Sequence, residues 1–255
     1  MERWDLRPAR DIGLPLSERL RSPDRENSLF ETGIHLTWCA LTRIYLAGAH
    51  RFQVKGKERI PPPPFILAAN HSSHLDTVCL TAILPVAVRM NVFPLAAGDT
   101  FFETPIRSAF AAAIVNALPL SRRRCHREEI ENLRRRLHDD HCGYILFPEG
   151  TRTRTGQMGL FKDGVGMLVA GTPVPVIPCR FAGTYEAMPV GRWIPRWRTV
   201  RLIVGEPLRF DAVPNDREGW RIVARGVERA VTALGEKTPL PRLSTDDLTA
   251  DGRIA

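Results

Sequence analysis

The 255-residue chain is 44% apolar and 25% charged, with 7% aromatic residues and a formal net charge of +8. That suits one sizeable soluble core, and the basic balance favours anionic partners such as phosphates, nucleic acid or an anionic membrane surface. No finger or RNA-binding motif appears, so nucleic acid is not expected.

Five cysteines, at 39, 79, 125, 142 and 179, lack CxxC spacing and sit mostly in apolar runs. They read as buried thiols in a reducing compartment, not as a disulfide framework. The first thirty residues are charged and carry no apolar signal core. No run reaches the ~18 apolar residues that a spanning helix needs, so a cytoplasmic protein is expected.

In chain order, residues 1–28 are an Arg- and Pro-rich arm without helical period. Over 29–47, Phe30, Ile34, Trp38, Leu41 and Tyr45 recur every three or four residues, which predicts one face of a helix. Such a face packs on the domain or lies in a membrane interface, and Arg43, Arg51, Lys55, Lys57 and Arg59 nearby suit anionic lipid. Four prolines at 61–64 make a stiff entry to "FILAA", residues 65–69, a buried strand. A helix over 74–84 stops at Pro85, and Val92 to Ala97 is a short strand. An Ala-rich helix follows from Phe101 to about Val115, then an amphipathic one over 127–139 with Ile130, Leu133 and Leu137 inward. Residues 144–147, "YILF", form another buried strand. Prolines restrict "PVPVIP", residues 173–178, to a sheet edge or bare pairing. A strand at 199–205 and a helix at 216–234 complete the pattern, the helix carrying Trp220, Val223, Val227, Val231 and Leu234 on one side.

Helices alternate with short, continuously apolar strands. This argues a single α/β domain, with a mixed, mostly parallel sheet covered by helices on both faces, plus the N-terminal amphipathic helix. The divisions expected are an arm and helix over 1–50, a main domain over 51–235 and a polar tail over 236–255.

The chemistry concentrates in "NHSSHLD", residues 70–76, directly after the first buried strand. Ser73 followed by Asp76 is close to a helix capping box. A metal site is weakly supported: His71 and Asp76 lie five apart, about 140° round a helix, and His71 and His74 lack the zinc spacing. A third reading pairs His71, on the loop, with Asp76 in the first helical turn, as a general base with its orienting acid. No Gly-x-Ser-x-Gly elbow appears, so a substrate hydroxyl is the better proton donor. A second loop, "FPEGTRTRTG" at 147–156, crowds Glu149, Thr151, Arg152 and Arg154 round Gly150. It is either a solvated charged loop or a phosphate grip.

Taken together, these stretches resemble the glycerolipid acyltransferases, typified by 1-acylglycerol-3-phosphate acyltransferase. The family's first block, Asn-His-x-Ser-x-x-Asp, is matched by Asn70 to Asp76, and its third, Phe-Pro-Glu-Gly-Thr-Arg, by Phe147 to Arg152. Phe161-Lys162-Asp163-Gly164, Val174 to Pro178 and "VGEPL" at 204–208 are similar to later family segments. Leu120-Ser121-Arg122 stands in for the second block, whose usual Asp is absent, and Gly98 replaces a common lysine.

The resemblance implies transfer of an acyl group from acyl-CoA or acyl carrier protein to a hydroxyl of a lysophospholipid or glycerol-phosphate acceptor, with no metal or other cofactor. It implies His71 as general base, Asp76 as its orienting acid, Glu149, Gly150 and Thr151 lining the acceptor pocket, and Arg152 with Arg122 holding phosphate. It leaves open another acceptor, such as a lyso-ornithine lipid, or a non-catalytic lipid-binding relative. A bilayer-resident acceptor would require peripheral attachment at the inner face of a membrane.

Overall fold

The computed structural model describes residues 11, 13–19, 22, 29–97, 104, 108, 110–120 and 127–236. Along the chain these form α1 (Leu16–Arg19), α2 (Leu29–His50), β1 (Gln53–Lys55), β2 (Phe65–Ala69), α3 (His74–Ile83), α4 (Val86–Arg89), β3 (Val92–Ala97), β4 (Leu118–Leu120), α5 (Arg127–Asp139), β5 (Gly143–Leu146), α6 (Gly164–Val169), β6 (Val176–Ala182), α7 (Thr184–Ala187), β7 (Arg201–Val204) and α8 (Arg217–Glu236). A π-helical turn spans Phe110–Ile114. The rest of the expected 101–115 helix lies mostly outside the described residues.

The strands form one sheet in the order β1-β7-β6-β2-β5-β3-β4. Every pairing is parallel except β6 with β7. The expected mixed, mostly parallel α/β sheet is therefore observed. Apolar residues alternate between its faces as the pleat requires. Ile66, Ala68, Tyr144 and Leu146 join one core with Leu133, Leu137, Leu168, Val223, Val227 and Val231 of the covering helices. Phe65, Leu67, Ala69, Ile145 and Ile177 join the other with Leu46, Leu75, Leu80 and Ile83. β2 is buried along its whole length because helices cover both sides of it. Gly166 lets α6 meet α8 closely, since a Cβ there would run into the Trp220 backbone. Cys39, Cys79, Cys142 and Cys179 are all buried and free.

Three sequence expectations need correction. Of the two settings left open for the Phe30, Ile34, Trp38, Leu41 and Tyr45 face, packing on the domain does not hold, and the Phe30 side chain lies outside the described residues. His35, Cys39, Thr42 and Leu46 are buried instead, while Trp38, Leu41, Ile44 and Tyr45 are exposed. Arg43 fixes the helix further, donating from Nε to the Ala82 carbonyl at 2.6 Å and from Nη2 to that of Leu84 at 2.9 Å. Periodicity identifies residues that share a face; it does not say which way the face points.

The proline-rich segment is not at an edge either. β6 pairs with β2 on one side and β7 on the other. Pro178 is tolerated because β7 ends at Val204 and the chain bulges past it, with the Gly205 amide donating to the Pro178 carbonyl at 2.8 Å before pairing resumes between Val176 and Leu208. Thirdly, the arm contains a short helix, α1, with Arg19 paired to Asp11 at 2.8 Å.

Candidate active site

The site is built at the carboxyl ends of β2 and β5. Leaving β2, the Asn70 side chain extends the sheet: its Oδ1 accepts from the Phe181 amide at 2.7 Å and its Nδ2 donates to the Phe181 carbonyl at 3.3 Å. This holds the start of the loop against β6. Ser73 then caps α3, accepting from the Leu75 amide at 3.2 Å, and Asp76 completes a capping box.

The capping reading of Asp76 holds, and the same carboxylate also faces the His71 ring. Its Oδ2 accepts from the Ser72 amide at 2.6 Å and the Ser73 amide at 2.8 Å, and lies 3.0 Å from His71 Nδ1. A carboxylate at Nδ1 places the proton on that nitrogen and leaves the Nε2 lone pair available. Nε2 meets no hydrogen-bond partner among the described residues, and the side chain is 15% exposed. The ring stacks on Phe147, centroids 4.0 Å apart and planes 17° from parallel. A basic nitrogen is thus held in a fixed direction at the protein surface.

Glu149 ties the two loops together. Its Oε1 accepts from the His71 amide at 2.6 Å and its Oε2 from the Gly159 amide at 2.7 Å. Burial raises its pKa, while the two amides work in the opposite direction. The Thr153 amide donates to the His71 carbonyl at 2.9 Å, closing the loop from the other side. Gly150 turns at φ +72°, with Lys162 folded over it. Thr151 is exposed and Arg152 half-buried. Burial, then the charges of Arg152 and His71, lower the pKa of His74 to about 4 against the opposing pull of Asp76, so Arg152 lies within electrostatic reach of this loop.

His71, Asp76, Glu149, Gly150, Thr151 and Arg152 are therefore gathered at one end of the sheet. Arg122 lies outside the described residues. Sequence reasoning passed over Asn70 as a brace, Phe147 as a stacking partner and Arg180. The Arg180 guanidinium donates to Met158 Sδ at 3.0 Å, is half-buried, and feels the Glu149 charge. It borders a cleft of about 250 Å³ beside Asn70 and Ser72, also lined by Tyr185, Arg201 and Thr232. Among the described residues, no group of three or more His, Cys, Asp or Glu is placed to share a metal ion.

Residues 51–182 match the family model described as Acyltransferase. The chain belongs to the acyltransferase family. It is 28% identical over 190 residues to the chloroplastic 1-acyl-sn-glycerol-3-phosphate acyltransferase BAT2 of Brassica napus, covering 72% of this chain and 52% of that one. With the 1-acyl-sn-glycerol-3-phosphate acyltransferase of Pseudomonas aeruginosa it shares 27% identity over 208 residues, 78% of this chain and 74% of that one. The chain spans about half the length of the plant relatives it matches. Its fold is similar to the crystal structure of the 1-acyl-sn-glycerophosphate acyltransferase PlsC from Thermotoga maritima, with a TM-score of 0.63, 25% identity, and 83% and 82% of the two chains covered. Within this member of the family, the stretches similar to the first and third family blocks are the two loops that Glu149 joins.

Proposed function

We propose that this acyltransferase moves a fatty acyl group from a thioester, acyl-CoA or acyl carrier protein, to the free hydroxyl of 1-acylglycerol-3-phosphate, giving phosphatidic acid. The observation that carries the reading is the 3.0 Å contact from His71 Nδ1 to Asp76, with Nε2 meeting no hydrogen-bond partner among the described residues. The names of the relatives support the choice of acceptor.

In this reading Nε2 takes the hydroxyl proton as the oxygen attacks the thioester carbonyl. The tetrahedral adduct expels the thiolate, which recovers the proton from the imidazolium, so the products are an ester and a free thiol. Asp76 fixes the tautomer and stabilises the imidazolium. Glu149 has both oxygens committed to backbone amides, so it shapes the pocket through the loops it joins. Gly150 and Thr151 line the acceptor side, and Arg152, with Arg122, holds the phosphate. No metal or other cofactor enters the step.

The acceptor lies in a bilayer, so the enzyme must meet one. No helix among the described residues is long and apolar enough to cross a membrane. We read α2 as peripheral: its outer face carries Leu41, 58% exposed, and Ile44, 71% exposed, with Arg51, Lys55 and Lys57 exposed just beyond. This suits the anionic inner face of a membrane. Residues 51–235 form the catalytic domain.

The test is thiol release from acyl-CoA and acyl carrier protein with a panel of acceptors. 1-Acylglycerol-3-phosphate should be preferred over glycerol 3-phosphate, lyso-ornithine lipid and choline-bearing lysolipids, and His71→Ala should abolish release. Preference for an acceptor without phosphate would sink the assignment and leave the family intact.

A further inference from the structure

The loop between β6 and β7, residues 183–200, springs from the same end of the sheet as His71, because β6 runs parallel to β2. Its tip carries Trp193, 90% exposed, Ile194, 75% exposed, and Trp197, 80% exposed. Val190 is exposed beside them. Single exposed apolar side chains are ordinary, but two indoles and an isoleucine within five residues are a patch that water does not favour. The backbone holds them outward. The Arg196 amide donates to the Ala187 carbonyl at 2.7 Å, the Arg192 amide to that of Pro189 at 3.2 Å, and Arg192 Nε to that of Ile194 at 2.8 Å. The loop is also tied to the end of α2, where His50 Nδ1 lies 3.1 Å from the Arg198 carbonyl.

Charge identifies the occupant. Residues 189–201 contain Arg192, Arg196, Arg198 and Arg201 and no acidic residue. Arg192, Arg196 and Arg198 form no ion pair with a carboxylate among the described residues. Indoles interleaved with unpaired guanidinium groups match an anionic lipid interface, where the rings sit at headgroup level and the cations meet phosphates. A second copy fits poorly, since a two-fold contact would set this arginine row against itself.

We infer that the tip of the β6–β7 loop inserts into an anionic bilayer as a second anchor beside α2 and turns the His71 end of the sheet toward the lipid surface. The inference rests on the reading of the chain as an enzyme of a membrane-resident acceptor.

The experiment compares the full chain with Trp193→Ser/Trp197→Ser and with Arg192→Glu/Arg196→Glu. Each is sedimented with phosphatidylcholine vesicles containing or lacking phosphatidylglycerol, after circular dichroism has shown the native fold. The tryptophan pair should weaken partitioning onto anionic vesicles by about tenfold or more. It should also remove most quenching of tryptophan emission by brominated lipid. Turnover of a water-soluble short-chain acceptor should stay unchanged. The charge reversal should weaken binding only where phosphatidylglycerol is present. Unchanged sedimentation and quenching in folded variants would overturn the inference. So would a dimer, seen by ultracentrifugation, that the tryptophan pair dissociates while vesicle binding persists. Lost vesicle binding supports the anchor even if no acceptor is acylated, an outcome that would sink the activity reading alone.

Discussion

One oxygen of Asp76 accepts two backbone amides and faces the His71 ring, while its other oxygen, Oδ1, is buried without a hydrogen-bond partner among the described residues. Asp76→Asn would keep an acceptor, lose the charge, and bury an NH₂ donor where Oδ1 meets no hydrogen-bond partner among the described residues. It should lower stability by about 1–3 kcal/mol and reduce turnover as well. His71→Ala should separate the two effects: turnover falls by about 10²–10⁴-fold while the unfolding midpoint stays close to that of the parent. Urea unfolding of both variants beside thiol-release assays checks this, and a stable, active Asp76→Asn protein would remove Asp76 from the mechanism. His74 supplies a pH effect. Its folded pKa of about 4 lies below the ordinary histidine value of 6.5, so the unfolded chain binds more protons between those limits. The stability tied to neutral His74 is fully present near pH 7 and is lost as pH falls through that window. His74→Gln should flatten this part of the stability profile, measured by urea midpoints at pH 7 and pH 4.5; an unaltered difference between the two midpoints would show that other groups govern the window.

At the scale of elements, α2 makes the sharpest distinction between its two sides. Leu46 is 1% exposed and belongs to the core beneath β2, whereas Ile44 faces outward. Leu46→Ala should cost about 2–5 kcal/mol, and Ile44→Ala should stay within roughly 0.5 kcal/mol in the absence of lipid. Equal costs by chemical denaturation would mean that the helix seats differently. The long elements were legible because their patterns are locally consistent: α5 begins and ends where the sequence placed it, with Ile130, Leu133 and Leu137 buried. β1 and β4 were not, since three residues carry no usable period. β6 was misjudged because proline's cost depends on which neighbour faces its nitrogen, and that neighbour is 27 residues further along the chain at Gly205. The same limit applies to the site. His71 with Asp76 could be read locally, five residues apart. The Glu149 tie spans 78 residues to His71 and exists only once β2 and β5 lie side by side. Replacing Glu149 with Gln would give one of its two amide donors an NH₂ group to face, and turnover should fall without contact with any reacting atom; unchanged turnover in the folded variant would show that the tie is not needed.

For the whole molecule, the proposed β6–β7 anchor and the catalytic nitrogen share one end of the sheet, so binding and turnover on lipid should respond together to ionic strength. Raising salt from 0.1 M to 1 M shortens the screening length from about 10 Å to about 3 Å. Sedimentation with anionic vesicles and activity on bilayer-embedded acceptor should both weaken, while activity on a soluble acceptor should change far less; a salt-independent sedimentation would remove the electrostatic part of the anchor. The buried cysteines allow the seating of α2 to be followed through the same experiment. Burial raises the pKa of Cys39 and Cys79, and that of Cys142 to about 11, so few thiolates are present in the closed protein. Alkylation must therefore wait for local opening, and its rate at each position times a different excursion. With Cys125 replaced by Ser, Cys39 reports the lifting of α2 and Cys179 the parting of the central strands. If α2 meets lipid with its outer face while His35, Cys39, Thr42 and Leu46 remain seated, vesicles will leave the Cys39 clock at its original pace; a helix that peels away to enter the bilayer would speed Cys39 alone.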